Sequence, residues 1–193
     1  EVLVIADASA NPAWIAADLL AQAEHGAGSQ AILIATDPGI ADATEQEVRR
    51  QLTLLPRAGI AGEGWEELGA VITVESLEEA VSLANRIASE HVELMLDDPR
   101  PLVPKLRNAG AIFLGHHTPE AISDYVGGGN HVLPTARSAR FASGLGVLDF
   151  MKRTSLLGCD PTSLAALAPA TITLAEVEGL EAHGRSVSIR LNG

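Results

Sequence analysis

Apolar positions along the first two thirds of the chain fall into two kinds of block. Short runs in which nearly every residue is apolar recur at Val2–Ala6, Ala31–Ala35, Ala70–Val74, Val92–Leu96 and Ala111–Leu114. Longer stretches between them carry apolar residues three or four positions apart. A strand apolar at every position is buried on both faces, and that condition is met in a parallel sheet covered by helices. The pattern therefore predicts an α/β fold of alternating strands and helices.

Local signals place the helices. Asn11 can cap a helix with Pro12 in its first position, running to a stop at Gly26. A second helix is expected through Thr44–Leu55, ending before Pro56, and the glycine-rich stretch Ala58–Gly64 reads as a loose link. Ser76 and Glu79 form a capping box for a helix carrying Leu77, Val81, Leu83 and Ile87. Asp98-Pro99 opens a short helix, and Thr118-Pro119 starts another that brings the chain to Asp124.

The character changes after Phe141. Asp160-Pro161 caps a short helix, Pro169 opens another, and Leu174, Val177 and Leu180 recur at helical spacing. Ser186–Leu191 reads as a terminal strand or extended tail. Large apolar residues are too few here for an independent domain, so this part is expected to pack on the first or on another subunit. The expected division is 1–143 for the α/β body and 144–193 for a small, mostly helical appendage.

Composition narrows the function classes. The 25 acidic residues against 13 basic ones give a net charge of −12, which argues against a nucleic-acid partner, since phosphate binding needs a basic footprint. No apolar run reaches membrane-span length, and no signal peptide is read. A single cysteine, Cys159, rules out an intrachain disulfide and fits a reducing cytoplasm. The chain opens directly on the strand Glu1-Val2-Leu3-Val4-Ile5 without a methionine, and so reads as a piece of something longer.

Three features point to chemistry. On the helix from Pro12, Asp18, Gln22 and His25 fall on the same side as Trp14, Ile15 and Leu19. Polar groups on an apolar face need partners, either in a satisfied core hydrogen-bond pair or in a metal site, although glutamine is a rare ligand. Ser89-Glu90-His91 joins a helix to a strand, and an adjacent acid and imidazole can serve as acid and base, although such pairs are common. Strand ends in open α/β sheets line ligand clefts, with the edge left open by sequence alone. The stretch 124–152 begins with an acid, then Gly127 to Gly129, then Asn130-His131. Glycines there allow positive φ and close backbone approach, so the loop is read as presenting Asp124 and His131.

Several segments carry a resemblance. Ala111–Gly115 (AIFLG), Thr118–Ile122 (TPEAI), Asp124–Val126 (DYV), Asn130–Thr135 (NHVLPT), Arg140–Gly144 (RFASG) and Asp149–Lys152 (DFMK) closely resemble the histidinol dehydrogenase family. The likeness extends back through Ser89–His91 and Leu20–His25 (LAQAEH) and forward through Glu178–His183 (EGLEAH), so it covers essentially the whole chain. It implies an incomplete Rossmann-like domain and an enzyme that oxidises L-histidinol to L-histidine in two NAD-dependent steps, the end of histidine biosynthesis. It also implies zinc ligands and substrate contacts at Gln22, His25, Asp124 and His183. The acid/base pair falls on Glu90 and His91, and further substrate contacts on His131 and Glu178. The family pattern implies a homodimer in which the exchanged tail brings His183 to the partner's zinc.

The chain departs from the family in length. The part that holds most NAD contacts in the family has no counterpart here, and a substrate-contacting serine would lie just before Glu1. Gly127 to Gly129 lack the context of a dinucleotide loop. Two other classes remain open on sequence grounds: a non-catalytic zinc or small-molecule-binding fragment, and a structural assembly subunit.

Overall fold

The computed structural model describes residues 1–26 and 28–191, and divides into two compact units, Glu1–Phe150 and Met151–Gly193. In the first, five parallel strands form one sheet: β1 (Val2–Ala6), β2 (Ala31–Ala35), β3 (Gly69–Thr73), β4 (His91–Met95) and β5 (Ala111–Leu114), in the order β3-β2-β1-β4-β5. The α/β fold with parallel strands is as expected. Helices α1 (Pro12–Ala23), α2 (Pro38–Leu52), α3 (Ala58–Leu68), α4 (Leu77–Ile87) and α5 (Glu120–Tyr125) connect or follow the strands, with a 3₁₀ segment at Arg100–Lys105.

Both sheet faces are buried, and they differ. Val2, Val4, Ala6, Leu33 and Ala35 pack with Ile15 and Leu19 of α1 and Val48 of α2. Leu3, Ile5, Ile34, Val92 and Leu94 pack with Val81 and Ala84 of α4. Full burial of a Leu or Ile side chain is worth about 1.5–3 kcal/mol, and Leu3, Ile5, Ile15, Leu19, Leu33, Ile34 and Leu94 are all fully buried. Pairing Val2 with His91 and Val4 with Glu93 puts two ionisable side chains of β4 on the α1 face.

The capping signals hold. Asn11 accepts from the Ala13 amide at 2.9 Å, and Ser76 accepts from the Glu79 amide at 3.2 Å. Glu79 reaches back to the Glu75 amide at 3.0 Å, one residue earlier than the standard box. The second helix begins earlier than Thr44, at Pro38, because Asp37 accepts from the Ile40 amide at 3.0 Å, and it ends at Leu52.

Ala58–Gly64 is not a link but the first part of α3. Gly64 allows close packing: a Cβ there would lie 2.8 Å from the Ala23 carbonyl of α1. Glycine disfavours a helix by about 1 kcal/mol relative to alanine, and tertiary packing overrides that here.

The second unit contains α6 (Pro161–Val177), α7 (Glu181–Ser188) and a 3₁₀ turn at Ile189–Leu191. Pro169 does not open a helix. It lies inside α6, which Asp160 caps by accepting from the Ser163 amide at 2.7 Å. Ser186–Leu191 is helical rather than extended. Ser186 donates to the His183 carbonyl at 2.8 Å, and the buried Gly184 of α7 lies against Ala175 and Ile172 of α6.

Candidate functional site

The strand order reverses between β1 and β4, and in open α/β sheets ligands favour the carboxyl edge at such a point. The expected acid/base pair lies at the opposite edge. Glu90 precedes β4 and His91 is its first residue, level with Val2 at the start of β1.

His91 is buried among strands and against the Phe113 ring, 5.8 Å away between centroids. Its Nδ1 lies 3.1 Å from the Glu1 carbonyl oxygen, with which it hydrogen-bonds, and 3.1 Å from Oε2 of Glu120. Nε2 is buried and has no hydrogen-bond partner among the described residues. Glu90 is tied to the same strand end, its amide donating to the Glu1 carboxylate at 3.2 Å.

Glu120, in the first turn of α5, is the residue that sequence reasoning missed. Its amide donates to Oε1 of Glu93 at 2.9 Å, so the helix start is anchored on a carboxyl in the middle of β4. Glu93 in turn faces Asp18 of α1. Burial dominates the electrostatics of this file of acids. It pushes Asp18 up to about 6, Glu120 up to about 8, and Glu93 well above the ordinary carboxyl range, with the neighbouring Asp18 adding to the last. Burial also holds His91 below the usual imidazole value, opposed by the Glu90 carboxylate. Burial thus favours the protonated form of Glu93 and Glu120 and the neutral form of His91.

Glu120 also borders a cleft of about 390 Å³ lined by Ala21, Glu24, His25, Arg57, Ala121, Asp124, Tyr125 and His131. The structure thereby brings together His25, Asp124 and His131. Oδ1 of Asp124 lies 3.0 Å from Nδ1 of His131. The glycine loop works as expected: Gly128 has φ +79°, a left-handed conformation that favours glycine and turns the chain from α5 back toward His131. His91 does not line this cleft but meets it through Glu120.

Gln22 is buried one turn before His25, and neither side chain hydrogen-bonds to a described residue. The His25 imidazole and the Asp124 carboxylate are donors of the kind zinc takes, with the Gln22 amide oxygen a rarer one, and in this respect the residues fit the metal. Among the described residues no three His, Cys, Asp or Glu side chains already converge as a metal shell. Glu178 and His183 belong to the second unit. Glu178 closes α6 and His183 sits in the first turn of α7, both exposed.

A family model described as histidinol dehydrogenase matches residues 1–191. The chain is 65% identical over 192 residues to the histidinol dehydrogenase of Nitrobacter winogradskyi and 64% identical to that of Rhodopseudomonas palustris, matching all of this chain and 45% and 44% of theirs. The crystal structure of histidinol dehydrogenase from Elizabethkingia anophelis superposes with a TM-score of 0.87 at 40% identity, covering 99% of this chain and 44% of that one. The chain thus spans less than half the length of these relatives.

Proposed function

Because the chain belongs to the histidinol dehydrogenase family, we propose that it is the zinc- and substrate-binding carboxyl-terminal portion of an enzyme oxidising L-histidinol to L-histidine in histidine biosynthesis. The observation that carries this reading is the gathering of His25, Asp124 and His131 on one cleft, joined to His91 through Glu120.

In this reading His91 takes the substrate hydroxyl proton on Nε2. The atom suits the task because it is buried, lacks a partner and belongs to an imidazole that burial keeps neutral. Glu90 activates the water that adds at the aldehyde stage. His131 and Glu178 bind substrate, His131 being oriented by its contact with Asp124. Zinc, when bound by Gln22, His25, Asp124 and His183, would hold the substrate's nitrogen atoms and fix its orientation. NAD, when bound, accepts the hydride in each of the two oxidations, and its contacts are assigned mostly to the relatives' further length.

The same reading assigns the protein to the cytoplasm, as a homodimer with exchanged tails in which His183 serves the partner's cleft. Leu174 and Val177 of α6 support it, being 64% and 81% exposed in the single chain. No described helix is long and apolar enough to cross a membrane.

The test is His91→Asn in a protein of the relatives' full length carrying this sequence. Turnover of histidinol with NAD should fall strongly while zinc content is retained; unchanged turnover removes His91 from the mechanism. Since the chain spans under half of its relatives, a zinc-binding fragment without turnover is the second reading. Assaying this chain alone beside the full-length protein separates the two.

A further inference from the structure

We propose that Glu120 is a positioning residue for His91: its carboxyl holds the Nδ1 edge of the imidazole and leaves Nε2 as the atom that takes a proton. The inference rests on the reading of His91 as the base and adds a residue that neither the motif nor the family likeness assigned.

The geometry carries it. Glu120 Oε2 lies 3.1 Å from Nδ1, with the two side chains 4% and 7% exposed, so neither is free to turn toward water. Oε2 is buried and makes no hydrogen bond to a described residue, and the ionisable neighbour paired with it is His91 Nδ1. A buried carboxyl oxygen with one polar neighbour is committed to that neighbour. The Glu1 carbonyl, also 3.1 Å from Nδ1, accepts only, so it selects the tautomer with hydrogen on Nδ1. An ionised Glu120 favours that same tautomer and stabilises the imidazolium formed when Nε2 takes a proton. A protonated Glu120 can instead donate to Nδ1, which places the ring hydrogen on Nε2 and closes that atom as a base.

Glu120 is itself fixed from below. Its backbone amide is held by Glu93, which shares the α1 face of the sheet with His91, two residues away along β4. The other ionisable groups acting on the pair are Glu90 beside His91, Asp18 on α1, Asp124 one turn on from Glu120, and the amino group of Glu1. Burial delays ionisation of Glu120 above the ordinary carboxyl range; the Glu1 amino group opposes that shift, and Asp124, Asp18 and Glu90 add smaller amounts to it. His91 is thus expected to sense the ionisation of Glu120 as a separate event from its own.

The test is ¹⁵N NMR of the histidine rings in this chain between pH 5 and 10. In the unaltered protein the His91 nitrogens should show a second inflection near pH 8 beside the ring's own, with Nδ1 carrying the hydrogen above it. Glu120→Gln should abolish the second inflection while the other histidines titrate unchanged. Absence of that inflection in the unaltered chain overturns the proposal without requiring any variant to fold, and so does its persistence in Glu120→Gln. In the full-length protein, Glu120→Gln should lower kcat about tenfold, part of the roughly 10²–10⁴-fold that general-base catalysis supplies, remove the corresponding limb of the kcat–pH profile and leave KM for histidinol unchanged. If the NMR inflection behaves as expected while kcat is insensitive to both Glu120→Gln and His91→Asn, the positioning stands and the catalytic reading of His91 falls.

Discussion

Replacing Glu120 by Gln should make the chain less sensitive to alkaline pH, and the size of the effect follows from the site. The carboxyl is 4% exposed, and burial raises it from an ordinary 4.5 to about 8. A group whose folded value lies above its unfolded value contributes stability that is complete below the unfolded value. That contribution is lost as pH rises through the folded value. For Glu120 the loss begins near pH 4.5 and is complete near pH 8. At about 1.4 kcal/mol per unit the full span is worth up to about 5 kcal/mol, and the step from pH 6 to pH 8 up to about 3 kcal/mol. The amide has the same shape and no charge to bury. Its absolute stability includes a constant cost for the new NH₂ donor, so the slope against pH is the informative quantity. Urea unfolding at pH 6, 7 and 8 measures it, with the midpoint and m-value fitted together. The unaltered chain should lose about 2–3 kcal/mol more than Glu120→Gln over that range. Parallel stability profiles would refute the assignment of a buried, proton-holding carboxyl at this position.

Three further outcomes follow from the same structure. Leu19→Ala empties a fully buried position between α1 and the sheet and should cost about 2–5 kcal/mol in urea unfolding. Gly64→Ala should destabilise by about 1–3 kcal/mol despite alanine's better helix propensity, because the new methyl meets the Ala23 carbonyl at 2.8 Å; a stabilising effect on thermal unfolding would show that α1 and α3 part freely. His25→Ala and Asp124→Asn should each weaken zinc binding by this chain in a competition titration, and equal affinity in both variants would place the metal elsewhere.

Much of the fold is legible in the residue order. The five strands were readable because each is built on a short, mostly apolar run, the signature of burial on both faces. Asn11-Pro12 and Ser76 marked helix starts because capping is local, settled within three residues. Asp37-Pro38 carries the same local signal as Asn11-Pro12 and caps α2. Where neighbours distant in sequence decide, local propensity misled. Ala58–Gly64 is rich in glycine and still helical, because α1 lies close enough that a side chain on Gly64 would not fit. Ser186–Leu191 resembles a strand and forms helix, because α7 packs on α6 through Gly184.

The site divides in the same way. Gln22, His25, Asp124, His131, Glu90 and His91 were available from their residue types and motif, and His25, Asp124 and His131 do share a cleft. Glu93 had a signal of its own, an acid inside a strand otherwise apolar. Glu120 had none: an acid in the first turn of a helix is ordinarily a solvated complement to the helix dipole. Residue order therefore determined the strands, the caps and the kinds of chemistry present. Only the tertiary structure decided that β4 lies beside β1 with His91 and Glu93 on the α1 face, and that α5 starts against Glu93. A carboxyl's protonation state depends on its surroundings, and for Glu120 these include Glu93, His91 and Asp18, which lie 27, 29 and 102 positions away along the chain.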